Sequence, residues 1–442
     1  MSFNSNSRFK LLVKNAKQVA VVSSGNQLVL RGKEMGQVAV MPESSPGING
    51  CGAAQEGVSI VVNLSGMIED IGCSSALDQK YSHATFDHVL DVSGMCVLPG
   101  LVDGHTHPVW AGDRVHEFAM KIAGASYMDV HKAGGGIGFT VEHTRAASED
   151  ELYNLLQPRL EGMLQAGTTL AECKSGYGLE TATEMKMLRV LERARRELPI
   201  EISSTFCGAH SVPIGQTAEE ATEDVINKQL PELQNLIETG DIQVDNIDVF
   251  CEKGVFDVDQ SRRILQAGLQ MGLSINFHGE ELTYLGAAEM GSALKATAIS
   301  HLEEISDAGI TAMAEAGSVA VVLPTTAYIL KLTPPPVRKM IENGVAVALG
   351  SDFNPNAFCL SMPLAMHLAC VNLGMTMDEA LVAATINAAA SLGKSRSHGS
   401  LEVGKVGDMI VIDAPRWEHL IYQLGNHERM IKHVIKRGDV IQ

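Results

Sequence analysis

The sequence predicts an α/β protein: a closed (β/α)8 TIM-like barrel of eight parallel strands and interleaved helices, inserted into a small split β-sandwich domain. Three observations carry this expectation. Eight strand-like apolar runs in the middle of the chain alternate with amphipathic helical stretches, the pattern of parallel crossover units. Several of these runs end in a histidine or an aspartate, and a closed barrel gathers the C-terminal ends of its strands at one mouth. Short β-rich runs broken by Gly, Ser and Asn lie at both ends of the chain, as though one small sheet domain had been split by the barrel.

Taken in order, the N-terminal flank offers Leu11–Val13, Gln18–Val22, Leu28–Leu30, Val38–Val40, Val58–Val62 and Met67–Ile71, and the tail offers Asp408–Ile412 and Ile431–Ile441. The expected division is 1–96 and 399–442 for the two parts of the β domain and 97–398 for the barrel. The expected barrel strands are Met95–Val102, Thr168–Cys173, Glu201–Cys207, Asn246–Cys251, Leu273–Phe277, Thr297–Ser300, Ser318–Leu323 and Val345–Leu349. Between the first two, Ser148-Glu149-Asp150-Glu151 has capping-box spacing and introduces a helix through Leu152, Leu155, Leu156, Leu160 and Met163 that stops near Gly167. Thr183–Leu198 reads as the next helix, closed by Pro199. The run Gly134-Gly135-Gly136-Ile137-Gly138 lacks the Lys-Ser/Thr that completes a phosphate loop, and reads as a flexible loop over the barrel mouth.

Composition narrows the partners. With 442 residues, 45% of them hydrophobic, the chain can bury a large core and a smaller satellite. A formal charge of -18 without a compensating basic block disfavours nucleic acid and anionic membranes and leaves a small molecule as the expected partner. No apolar run approaches the roughly 18 residues of a spanning helix, and the polar start lacks the apolar stretch of a signal peptide, so a cytosolic protein is expected. Eight cysteines in so long a chain do not suggest a disulfide scaffold. Cys173, Cys207 and Cys251 sit in strand-like runs as small core residues.

The chemistry starts at His105 and His107. They close the run Val97-Leu98-Pro99-Gly100-Leu101-Val102-Asp103-Gly104, and residues two apart on an extended chain point to one face, so both imidazoles can reach one cation. Further runs end at His278, His301 and Asp352. Strand-end histidines and an aspartate in this order, with a split β domain, resemble the amidohydrolase superfamily of metal-dependent hydrolases. Within it the chain is similar to the imidazolonepropionase family over nearly the whole barrel. That similarity rests on His105-Thr106-His107 through Gly112-Asp113-Arg114, Lys174-Ser175-Gly176-Tyr177-Gly178-Leu179, Gly208-Ala209-His210-Ser211-Val212-Pro213, His278-Gly279-Glu280-Glu281 and Ser351-Asp352-Phe353-Asn354-Pro355.

The resemblance implies hydrolysis of 4-imidazolone-5-propanoate to N-formimidoyl-L-glutamate by a metal-activated water, with one zinc or ferric iron ion per chain, and a homodimer. It implies His105, His107, His278 and Asp352 as metal ligands; this donor set of three imidazoles and a carboxylate suits a borderline cation. Asp352 would also take the proton of the attacking water, and His301 would face the developing oxyanion. Arg114, Tyr177 and His210 would hold the substrate, with Tyr127 a weaker candidate. Glu281 would contact the ring and move its proton, and Asn354 would complete the pocket. An arginine fork suits the propionate carboxylate because it donates two parallel hydrogen bonds. The chain departs from the bacterial pattern after Asn354-Pro355, where Asn356-Ala357 replaces Gly-Ser, so ligand contacts there do not carry over. A bridging carboxylated lysine on the fourth barrel strand would allow two metals; Lys174 is excluded by position, and Lys253 is disfavoured by the family pattern. The rival expectations are another cyclic amidase or a base deaminase on this scaffold and, more distantly, a non-catalytic protein of the same fold, which would lack ligands that are all present here.

Overall fold

The computed structural model describes residues 7–41, 57–124 and 135–442. Ahead of the barrel lie β1 (Arg8–Ala16), β2 (Gln18–Val22), β3 (Ala39–Met41), β4 (Val58–Val62), β5 (Ile68–Cys73), β6 (Thr85–Asp91) and β7 (Cys96–Pro99). The barrel strands are β8 (Leu101–Asp103), β9 (Thr168–Lys174), β10 (Glu201–Ala209), β11 (Asn246–Cys251), β12 (Ser274–Gly279), β13 (Ala298–His301), β14 (Val319–Val322) and β15 (Ala346–Leu349). The tail returns with β16 (Met409–Ile412), β17 (Ile431–Lys436) and β18 (Asp439–Val440).

The eight barrel strands pair in sequence order, each neighbour parallel. The flanks form a four-stranded sheet, β5-β4-β1-β6, and a six-stranded sheet, β18-β17-β16-β7-β2-β3. Their strand alternation shows why the two parts of the chain belong together. Val97, Met409 and Val411 pack with Leu11, Val13, Ile60 and Val62 between the two sheets. Their neighbours Cys96, Leu98, Ile410 and Ile412 point the other way, into the large core that includes the barrel helices. The six-stranded sheet thus has two buried faces and joins the sandwich to the barrel.

Four expectations are corrected. Met95–Val102 is two strands: β7 pairs with β16 and β2, whereas β8 pairs with β9. The chain changes sheet at Gly100, where a Cβ would lie 2.2 Å from Thr169 Oγ1, so no larger residue could make the crossing. Leu28–Leu30 forms no strand; the Leu30 N–H donates instead to Asn387 Oδ1 at 2.9 Å. β6 was not expected because Thr-Phe-Asp-His-Val-Leu-Asp carries no clear apolar alternation, yet it pairs in parallel with β1. Ile431–Ile441 is a hairpin whose two-residue turn, Arg437-Gly438, has φ of 49° and 80°.

The glycine run also differs from expectation. Gly134 lies outside the described residues, but Gly135 and Gly136 are buried, and Gly136 introduces the helix Ile137–Ala146 while its N–H donates to Glu117 Oε1 at 2.8 Å. The helix Glu149–Gln165 has the expected capping box from Ser148 and Glu151. Among the described residues no helix is long and apolar enough to cross a membrane.

The barrel closes beyond the ends of its first and last strands. Gly104 N donates to Leu349 O at 3.1 Å, Asp352 N to His105 O at 3.0 Å and His107 N to Phe353 O at 2.8 Å. This closing ladder runs through three of the residues expected to bind metal.

Candidate active site

His105, His107 and His278 each present a ring nitrogen within 4.8 Å of the others. His107 Nε2 and His278 Nε2 are 3.1 Å apart, and Asp352 Oδ1 lies 3.5 Å from His105 Nε2 and 3.8 Å from His107 Nε2. All four side chains are buried, and His105 Nε2 has no hydrogen-bond partner. Burial, with the neighbouring charges of Lys174 and His278, holds the His105 pKa well below its ordinary value; burial and nearby His210 and His278 do the same for His107. A buried nitrogen with no partner, among neutral imidazoles facing a carboxylate, is costly alone and is what a cation would satisfy, so the residues fit a metal ion.

Other parts of the barrel set these donors. His105 Nδ1 meets Ser300 Oγ at 2.9 Å, and His278 Nδ1 meets Asp248 Oδ1 at 2.9 Å, so both rings turn Nε2 toward the cluster. Thr326 Oγ1 donates to Asp352 Oδ2 at 2.5 Å, leaving Oδ1 to face the histidines. The backbone is strained at this mouth: φ is 48° at Asp352, 59° at Glu280 and 77° at His301, values unusual outside glycine. Below the cluster, Lys174 is fully buried and pairs with Glu172 and Asp248. Lys253 is exposed, beyond the end of β11, and is not part of the cluster.

Around it lie the other expected residues. His301 stands between two carboxyls, with Nε2 3.8 Å from Glu281 Oε2 and Nδ1 3.8 Å from Glu303 Oε2. Burial, then the charges of Asp352 and Glu252, pushes Glu281 up to about 8. The rings of His107 and His210 stack 4.5 Å apart, and Tyr177 tilts against His210 at 5.2 Å. His210 Nδ1 contacts Gly176 O at 3.0 Å, and burial, followed by His278, lowers its pKa to about 3. Glu184 accepts the N–H groups of Gly176, Gly178 and Leu179, fixing the loop that presents Tyr177.

Arg114 is paired with a resident carboxylate. Its side chain is largely buried and makes a forked pair with Glu117, Nε to Oε1 at 2.9 Å and Nη2 to Oε2 at 2.7 Å. It lies close enough to Tyr177 for its charge to act on that phenol. Asn354 is held in its own loop: Nδ2 donates to Asp352 O at 2.7 Å, and Oδ1 accepts from the backbone N–H groups of Asn356 and Ala357. Tyr127 lies outside the described residues.

Sequence reasoning missed Glu172, Lys174 and Asp248 as parts of this site, along with Glu117, Ser300, Glu303 and Thr326. The available signal was charge within apolar strands, in Thr168–Lys174 and Asn246–Cys251.

Residues 96–441 match the amidohydrolase family. Probable imidazolonepropionases from Homo sapiens and Mus musculus are each 60% identical to this chain, over 98% of it and 98% and 99% of theirs. The chain belongs to the amidohydrolase family, among its imidazolonepropionases. A probable imidazolonepropionase from the sea anemone Nematostella vectensis is 59% identical over 98% of both chains. Amidohydrolase barrels of other specificities share the fold at low identity. An adenosine deaminase from Xanthomonas campestris with bound zinc has a TM-score of 0.69 at 16% identity, covering 98% of this chain and 93% of that one. A guanine deaminase from C. acetobutylicum has 0.66 at 16%, covering 98% and 99%. This family is one of metal-dependent hydrolases, and the histidine–aspartate cluster supplies groups able to hold a divalent metal.

Proposed function

We propose that this protein hydrolyses 4-imidazolone-5-propanoate to N-formimidoyl-L-glutamate. The observation that carries this reading is the convergence, at one end of the barrel, of a buried imidazole–carboxylate cluster with an acid–imidazole pair and an arginine suited to a propionate. The full-length identity to imidazolonepropionases supports it.

His105, His107, His278 and Asp352 would hold one ion, divalent zinc or ferric iron. Such an ion, when bound, supplies Lewis acidity that brings a water's pKa toward neutrality. The reaction adds water oxygen to the ring carbonyl carbon, breaks the carbon–nitrogen bond and returns a proton to the departing nitrogen. Asp352, with Oδ1 directed into the cluster, accepts the proton of the attacking water. His301 donates to the oxygen that gains charge. Glu281, protonated at neutral pH because of its burial, can give a proton to the ring. Arg114 binds the carboxylate, Tyr177 and His210 form walls beside the planar ring, and Asn354 shapes the adjoining loop. We further propose that the split β domain takes residues 1–99 and 399–442 and the barrel 100–398, the expected boundary after residue 96 moving to Gly100 because β7 pairs within the split sheet, together with a cytosolic location and a homodimer.

The direct test incubates purified protein with freshly generated 4-imidazolone-5-propanoate and follows N-formimidoyl-L-glutamate by mass spectrometry. Product at a rate proportional to enzyme is expected. Turnover of guanine or cytosine in its place would reject the assignment. Elemental analysis should find about one transition-metal ion per chain, and His278→Ala should lose both metal and activity.

A further inference from the structure

Behind the Nδ1 side of His278 lies a buried ionic chain that spans four barrel strands. Lys174, at the end of β9, is 0% exposed. Its Nζ is 2.7 Å from Asp248 Oδ2 and 2.9 Å from Glu172 Oε1. Asp248 Oδ1, on β11, accepts both the backbone N–H of His278 at 3.0 Å and its Nδ1–H at 2.9 Å. Glu172 Oε1 also accepts from Thr205 Oγ1 on β10 at 2.6 Å and from Asn276 Nδ2 on β12 at 2.9 Å.

Taking an ammonium out of water is costly, and an apolar side chain of similar volume would fill the space without that cost. The charge of Lys174 is felt at His105, but its ion pairs are with Glu172 and Asp248. Its bonded link to the imidazole–carboxylate cluster runs through Asp248, which holds His278. An aspartate that bonds Nδ1 forces the proton onto that nitrogen and leaves the lone pair on Nε2, the atom facing His107. An aspartate free to rotate would hold neither the tautomer nor the ring.

We propose that Lys174 is a positioning residue for the metal centre: with Glu172 it locks Asp248 in the orientation that fixes the His278 tautomer, and so sets how tightly the site holds its ion. This rests on His278 being a metal ligand. Its consequence is that a side chain three residues ahead of Tyr177, touching neither substrate nor ion, governs metal retention.

The test uses the full-length, metal-free protein titrated with Zn2+ against a chromophoric chelator, and with Co2+ to follow the visible ligand-field bands. Lys174→Met alone strands two buried carboxylates, so the decisive variants are the charge-balanced Glu172→Gln/Lys174→Met and the near-isosteric Asp248→Asn. Each should weaken Zn2+ binding about 10–100-fold and shift the Co2+ bands. A purely structural role would lower the melting temperature of the metal-free protein and leave the affinity of the folded fraction unchanged; parental affinity in either folded variant overturns the proposal. His278→Ala separates the two levels. If it loses Zn2+ while Asp248→Asn keeps it, the positioning role fails and the ligand assignment stands. If His278→Ala binds Zn2+ as tightly as the parent, the ligand assignment fails first.

Discussion

Arg114 shows how a residue's job depends on a partner that spacing cannot name. Its fork is already engaged by buried Glu117, which also accepts the Gly136 N–H, so a bound carboxylate has to share the guanidinium with a resident anion. Arg114→Ala would remove that anion's paired cation, mixing a folding defect with a binding defect. The cleaner variant is Arg114→Ala/Glu117→Gln. It should lower kcat/KM for 4-imidazolone-5-propanoate at least tenfold, since charge-assisted bonds are worth roughly 1.5–3 kcal/mol and about 1.4 kcal/mol is tenfold. An imidazolone without the carboxylate should show no such fall; an equal fall would make Arg114 structural. His301→Ala and Glu281→Gln act on charge that develops during reaction, so kcat should drop about 10²–10³-fold with metal content unchanged. Loss of metal in His301→Ala would move that histidine among the ligands. The strand-end histidines and Asp352 could be picked out in the sequence because a metal site requires those side-chain types and a barrel collects strand ends. Lys174 and Asp248 stood out only as charges within apolar strands, and what they do becomes intelligible only when the pairing between β9 and β11 side chains is known.

At the scale of elements, strand positions were legible where apolar runs were bounded by turn residues, as in Asn246–Cys251, which the structure reproduces residue for residue. The failure at Met95–Val102 has a different origin. Two collinear strands in different sheets carry one unbroken hydrophobic pattern, since both are buried on both faces, and only the contact at Gly100 separates them. A second glycine links an element to the chemistry. At Gly350, just past β15, a Cβ would lie 2.7 Å from His105 Cβ and 2.9 Å from His105 N. Gly350 also sits within the closing ladder, between Leu349 and Asp352. Gly350→Ala should therefore push the first and last strands apart where His105 meets Asp352, lowering Zn2+ affinity and the melting temperature together. Competition with a chelator and thermal unfolding measure both. A variant with parental Zn2+ affinity would show that the closure tolerates displacement and that its rigidity does not set the metal geometry.

At the scale of the whole molecule, the barrel and the split sheet are tied by an ionic cluster at the start of β10, away from the residues that do chemistry. Glu201 begins that strand, and its Oε2 lies 3.2 Å from His398 Nε2, 3.2 Å from Lys436 Nζ and 2.9 Å from Arg437 Nη2; Lys436 also pairs with Asp408. His398 precedes β16, and Lys436-Arg437 enters the β17–β18 turn, so one barrel carboxylate is held by two parts of the C-terminal segment. Burial opposes its charge, but His398, Lys436 and Arg437 prevail and hold the Glu201 carboxyl well below the ordinary carboxylate range. A carboxyl with a depressed folded-state pKa stabilises the protein at pH values above its unfolded pKa, about 4.3, and that contribution disappears as pH falls toward the folded value. Glu201→Gln should therefore cost about 1–3 kcal/mol near neutrality, seen as a melting temperature a few degrees lower. The gap between parent and variant should narrow below about pH 4, because the parent loses its advantage as Glu201 begins to protonate. Parallel thermal melts of the two full-length proteins across that range decide the matter. A gap that persists undiminished in acid would mean that Glu201 acts through packing and neutral hydrogen bonds, and that the attachment of the split sheet to the barrel does not depend on this carboxylate's charge.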